Sequence, residues 1–214
     1  MRFYQMRTLA VKQPGFCYNF TMRGRASEAI RGLVLACSML VLSCASATDR
    51  ADLLASEIDA KYWGDWPKVI EKASEGLKID PGSAWLHAQR ATAYRETGEY
   101  KGALEDYDTA LTLQPDFEPA YTDRAILLIR LNRVDEAEID LRTALKLDPE
   151  DVTSMVSMAE VMALQKNQWE TCSFLKDAAA KGYDVLNLID HNVNFEFMQD
   201  SPCHQDLIRD EQTK

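Results

Sequence analysis

The sequence predicts an all-α fold assembled from repeated units of one size. The pairs Asp80-Pro81, Gln114-Pro115 and Asp148-Pro149 fall 34 residues apart each time. Each closes an apolar stretch (GLKIDP, ALTLQP, ALKLDP), and proline both stops a helix and biases the residue before it away from helical angles. Aligned on these prolines, Ala91 matches Ala125, Ala103 matches Ala137, Tyr107 matches Leu141 and Ala110 matches Ala144, while Leu77, Leu111 and Leu145 form a further series. Self-similarity at a fixed period is the signature of a repeat array.

The 214 residues suffice for one ordinary domain with a short extra segment. With 46% apolar and 27% charged residues, a packed core is within reach. Residues 1–47 carry six basic side chains and one acidic, a net of +5, which leaves −15 of the total −10 on residues 48–214. So acidic a body repels phosphates and anionic headgroups, which argues against nucleic-acid or bilayer partners.

The first element is an address. From Met22 three arginines precede the apolar run Gly32 to Leu42, and small residues follow from Ser43 to Ala47, the order of regions in a secretory signal. The run is too short to cross a bilayer comfortably, which takes roughly 20 residues, so an uncleaved anchor is the lesser reading. Residues 1–21 show no pattern, so Met22 is an alternative start to Met1. Two processing outcomes stay open: cleavage after Ala47, giving a soluble periplasmic body, or lipidation of Cys44, since Val41-Leu42-Ser43-Cys44 resembles a bacterial lipobox. A lipid on Cys44 would be the protein's sole membrane attachment. Cys172 and Cys203 remain in the body, either as a disulfide in an oxidising compartment or as two thiols.

The 34-residue units resemble the tetratricopeptide repeat family, whose unit is a pair of antiparallel helices. Small residues at Ala91, Ala103 and Ala110 allow close helix approach, with Tyr94, Leu104, Tyr107 and Leu111 filling the space around them. Gly98 ends the first helix of its unit, and Asn132, tolerant of left-handed angles, does so in the next. The resemblance implies a right-handed superhelical solenoid of about four repeats, at 50–83, 84–117, 118–151 and 152–183, followed by a capping tail at 184–214. The end units are atypical, with Gly76 replacing alanine in the first and Lys166 in the glycine slot of the fourth. In the tail Leu186, Phe195, Phe197 and Leu207 are expected to cover the last helix pair.

The same resemblance implies a concave groove lined by the first helices, which receives a peptide or helix of a partner protein. Its slots here hold Leu54, Ile58 and Lys61, then Trp85, Thr92 and Arg95, then Thr122, Ile126 and Ile129, then Val156 and Glu160, with Trp85 and Arg95 the leading candidates. Thr92 and Ile126 replace the asparagine-type positions of members that grip a terminal carboxylate, so a carboxylate clamp is not expected.

No chemistry competes with binding. His87, His191 and His204 stand without an orienting triad, and Asp106/Asp108 and Asp135/Glu136 are read as solvated acidic faces. The four tryptophans Trp63, Trp66, Trp85 and Trp169 are assigned to packing near helix junctions. There is no phosphate loop, paired-histidine metal motif or serine elbow, and no cofactor or metal is expected. The expectation is a non-catalytic adaptor of the bacterial envelope, periplasmic or lipid-anchored. Its alternatives are a module that self-assembles into homo-oligomers, or a recruiting subunit of an envelope enzyme.

Overall fold

The structure is a computed structural model that describes residue 58, residues 64–199 and residues 201–212 (backbone alone at 212). The signal-like segment, Cys44, Leu54, Lys61 and Trp63 lie outside the described residues. Within them the chain is helix after helix: α1 Trp66–Ile79, α2 Ala84–Thr97, α3 Tyr100–Leu113, α4 Glu118–Arg130, α5 Val134–Leu147, α6 Val152–Leu164 and α7 Gln168–Ala180. A C-terminal tail follows, made of α8 Val185–His191, a 3-10 turn Val193–Met198 and α9 Pro202–Gln212.

The punctuation of the sequence sets these boundaries. Asp80, Gln114 and Asp148 take extended angles (φ −129°, −136° and −129°), and each N–H closes the last helical turn onto a carbonyl, of Gly76, Ala110 or Ala144. Between first and second helices Gly98 turns at φ 87° and Asn132 at φ 57°, both left-handed. Lys166 occupies that slot at φ 61°, where a lysine backbone is disfavoured, and its Nζ stands 4.9 Å from the centroid of the Phe197 ring in the tail. Asp65, Ser83, Asp151, Asn167 and Asp184 cap helix N-termini with their side chains.

Successive helices pair as antiparallel hairpins, α2 with α3, α4 with α5 and α6 with α7, and the hairpins stack into a solenoid. Ala91, Ala103, Ala110, Ala125, Ala137 and Ala144 are all completely buried, as the 34-residue alignment requires of close helix contacts. Gly76 has its own reason. A methyl group there would lie 2.6 Å from Leu86, which fills the space and is itself fully buried. One and two units later Leu86 is replaced by Ala120 and Ser154, opposite Ala110 and Ala144, so a bulky residue and a small one have traded places.

A second periodic feature is electrostatic. Arg90 holds Asp106 through two bonds of 2.6 and 2.8 Å and reaches Ser74 Oγ at 3.3 Å. Exactly one period later Arg124 holds Asp140 through two bonds of 2.7 Å and reaches Asp108 at 2.5 Å. Each arginine therefore joins its own second helix to the second helix of the preceding unit. Asp106 and Asp140 are buried, which corrects the reading of Asp106 as part of a solvated face, whereas Asp108, Asp135 and Glu136 are exposed. His87 completes the first cluster, with Nδ1 2.8 Å from Asp106. At the next junction the equivalent positions are Met158 and Phe174, which pack in an apolar cluster.

The tail covers the last hairpin. Val185, Ile189, Phe195, Met198 and Leu207 are buried against Met155, Ala159, Leu175 and Ala178 of α6 and α7, with Leu186 and Phe197 packed at the margin. A disulfide between Cys172 on α7 and Cys203 on α9 fastens tail to hairpin. Trp169, assigned above to packing, is instead 82% exposed on α7.

Candidate functional site

Successive first helices form one continuous side of the array, the inner face. α2 touches α4 and α4 touches α6, whereas no comparable contact joins α3 to α5 or α5 to α7. Trp85, Thr92, Arg95, Thr122, Ile126, Ile129, Val156 and Glu160 lie on these first helices, and a chain of polar contacts shows what four of them do.

Thr92 is buried and contacts Tyr107 Oη at 3.0 Å and Asp123 at 3.2 Å. Arg95 donates to the Asp123 carboxylate at 2.9 Å and carbonyl at 3.3 Å, and to Glu96 at 2.9 Å, tying α2 to α4. Burial pushes the Tyr107 phenol up, with Asp123 adding to the effect, so this hydroxyl stays protonated. Thr122 is buried in the next step of the chain, 2.6 Å from Ser154 of α6 and donating to Glu118 at 2.7 Å. Glu160 continues the chain into the tail and accepts from the amides of Asn194 at 2.7 Å and Asn192 at 3.3 Å.

Several groove assignments change accordingly. Ile58, Thr92 and Thr122 are inside the solenoid, because neighbouring first helices approach closely enough to bury them. Arg95 is spent on Asp123 and Glu96 and offers no free cation to a ligand. Val156 packs on the tail cluster and Glu160 accepts from the tail through one oxygen while staying partly exposed, so the cap borders the end of the inner face. Trp85, Ile126 and Ile129 remain partly exposed and supply its apolar surface, although Trp85 and Ile129 are each anchored on a core cluster. Asp123, Glu96 and Glu118 are inner-face residues that sequence reasoning missed. Their signal was weak, since acidic residues are common throughout the chain.

Glu118 has a distinctive setting. Burial pushes its carboxyl up, the Thr122 hydroxyl opposes that, and the charges of Asp151 and Asp148 reinforce it. A carboxyl whose folded value is raised contributes stability that is complete below its unfolded value, near 4.5, and lost as pH rises through the folded value. Glu118→Gln should therefore gain on the parent as pH rises. Urea midpoints at about pH 4 and about pH 7 check this, and an equal difference at both would refute it.

Among the described residues no group of three or more histidine, cysteine or carboxylate side chains could hold a metal, and no helix is long and apolar enough to cross a membrane.

With this geometry in view, comparison with known proteins is decisive for the repeats. The family model described as tetratricopeptide repeat matches residues 84–117 and again residues 118–151. The chain carries tetratricopeptide repeats. Among curated relatives, the tetratricopeptide repeat and J domain-containing co-chaperone DNJ1 of Cryptococcus neoformans is 24% identical over 161 residues, 71% of this chain and 31% of that protein. DnaJ homolog subfamily C member 3 of Mus musculus is 35% identical over 88 residues, 41% of this chain and 18% of that one. The alignments thus cover less than a third of either relative. Among solved structures, the Arabidopsis OM64 TPR domain superposes with TM-score 0.51 at 26% identity, over 54% of this chain and 96% of that one. Pseudomonas aeruginosa pilF superposes with TM-score 0.59 at 19% identity, over 78% of this chain and 70% of that one, a likeness of fold. The stacking of helix pairs continues through α6 and α7, beyond the two repeats the family models mark.

Proposed function

We propose that this chain is a non-catalytic adaptor that seats a peptide or helical segment of a partner protein on the inner face of α2 and α4. The observation that carries the reading is the partly exposed apolar set Trp85, Ile126 and Ile129, held on first helices that polar contacts lock together. A surface fixed before the partner arrives loses little ordering entropy on binding. The similarity to a tetratricopeptide repeat and J domain-containing co-chaperone supports a task of binding other proteins.

The location we propose is an exported one. The Cys172–Cys203 disulfide fits an oxidising compartment, and the arginine-then-apolar segment from Met22 fits a secretory signal. Whether the envelope form begins at Thr48, after cleavage following Ala47, or carries lipid on Cys44 is read directly from intact mass after expression in a bacterial host.

The binding test uses the full chain and Ile126→Glu. Partners crosslinked to the parent in an envelope extract should be lost, with binding down at least about tenfold and the helical circular dichroism unchanged. Retention of the same partners by Ile126→Glu would move the binding face elsewhere. A mass in solution that rises with concentration would favour the self-assembling alternative.

A further inference from the structure

The inner face carries more carboxylate than it can neutralise. Arg95 is paired with Asp123 and Glu96, and Arg130 reaches the same Glu96 at 3.5 Å. Glu118 and Glu160 are half-buried on that face and bond only to hydroxyl and amide groups, with no cation partner among the described residues. Glu118 lies against Ser154 (Ser154 Oγ to Oε1 3.4 Å), and Glu160 is six residues further along α6, about 9 Å at the helical rise. Ile126 on α4 and Val156 on α6 belong to the same two helices.

We infer that the segment this face receives is basic, with lysine or arginine side chains set between apolar anchors. This rests on the adaptor reading above and assigns the chemistry of its partner. Two carboxylates without a cation, one at the start of α4 and one on the neighbouring α6, fit cations a similar distance apart on the incoming chain. Both inner-face arginines are already engaged, so an acidic tail would meet net repulsion. The acidic body, −10 over the whole chain, draws such a segment in and repels its acidic counterpart. Desolvation that already burdens Glu118 is relieved when an ammonium or guanidinium group arrives.

The test is fluorescence anisotropy on the full chain with two labelled synthetic peptides. In one, lysines alternate with leucines. In the other, glutamates replace the lysines and the C-terminus is a free carboxylate. The lysine peptide should bind at least about tenfold tighter at low salt, with affinity falling as salt rises. Glu118→Gln combined with Glu160→Gln, which keeps at each position the one oxygen that now accepts, should weaken it at least about fivefold. Glu71→Gln with Glu136→Gln removes the same charge from exposed positions on second helices and should leave it unchanged. Equal loss in both double variants would reduce the effect to bulk charge and overturn the inference. Tighter binding of the glutamate peptide, abolished by Ile126→Glu, would overturn it while leaving the adaptor reading intact. If neither peptide binds, both fall.

Discussion

Arg124→Ala is expected to destabilise the protein by about 3–5 kcal/mol, the largest loss from any single surface-facing arginine. The reason is the partner left behind. Asp140 is only 4% exposed, and without the guanidinium its charge stays in the solenoid with nothing to balance it. The same arginine also spans to Asp108, so the substitution loosens the junction between two units as well as one hairpin. The protein itself suggests the control. One period on, Met158 and Phe174 stand where Arg124 and Asp140 do, so Arg124→Met with Asp140→Phe copies a junction that already works here. Replacing a buried ion pair by well-packed apolar residues is often neutral or better. The double variant should recover most of the loss, measured by urea unfolding. A single variant that costs under about 1 kcal/mol would show that water, rather than arginine, balances Asp140.

Removing the disulfide should cost nearly as much, in a different place. Cys172 and Cys203 are 31 residues apart, and a closed loop of that size restricts the unfolded chain by about 3–4 kcal/mol. The loop contains α8, the 3-10 turn and the start of α9, so the loss should fall on the tail and α7. Cys172→Ala with Cys203→Ala, or reduction by a phosphine, should lower the midpoint of unfolding. Hydrogen exchange should speed up in residues 185–212 while α2 to α5 keep their protection, since a solenoid transmits stability only between neighbours. Unchanged exchange in the tail would mean that Phe195, Met198 and Ile189 hold it unaided.

The contrast between these two features shows what could be read from the sequence. The helix pairs were legible because their boundaries are chemical: proline stops, left-handed turn residues, and alanines wherever helices touch. The covering role of Phe195 and Leu207 was legible for a similar reason, since apolar residues after the last helix hairpin have few other places to go. The arginine–aspartate junctions also recur at 34 residues, so their signal was present. They were passed over because a charged residue looks the same in sequence whether it faces water or a partner. Inner-face residues failed for another reason. Whether Thr92 and Thr122 are open or buried depends on how near α4 comes to α2, and α6 to α4, a distance fixed by all the intervening packing.

The junction residues also give the units an order. Each first-helix arginine looks back to one position on the preceding second helix, which holds Ser74 for Arg90 and Asp108 for Arg124. In the following unit that position is Arg142, and the residue that comes next in the array is the uncharged Met158. A duplicate of residues 118–151 inserted behind itself would bring two guanidinium groups face to face. The repeats share a fold but are keyed like the wards of a lock, so lengthening this array by simple gene duplication would require a compensating change at position 142.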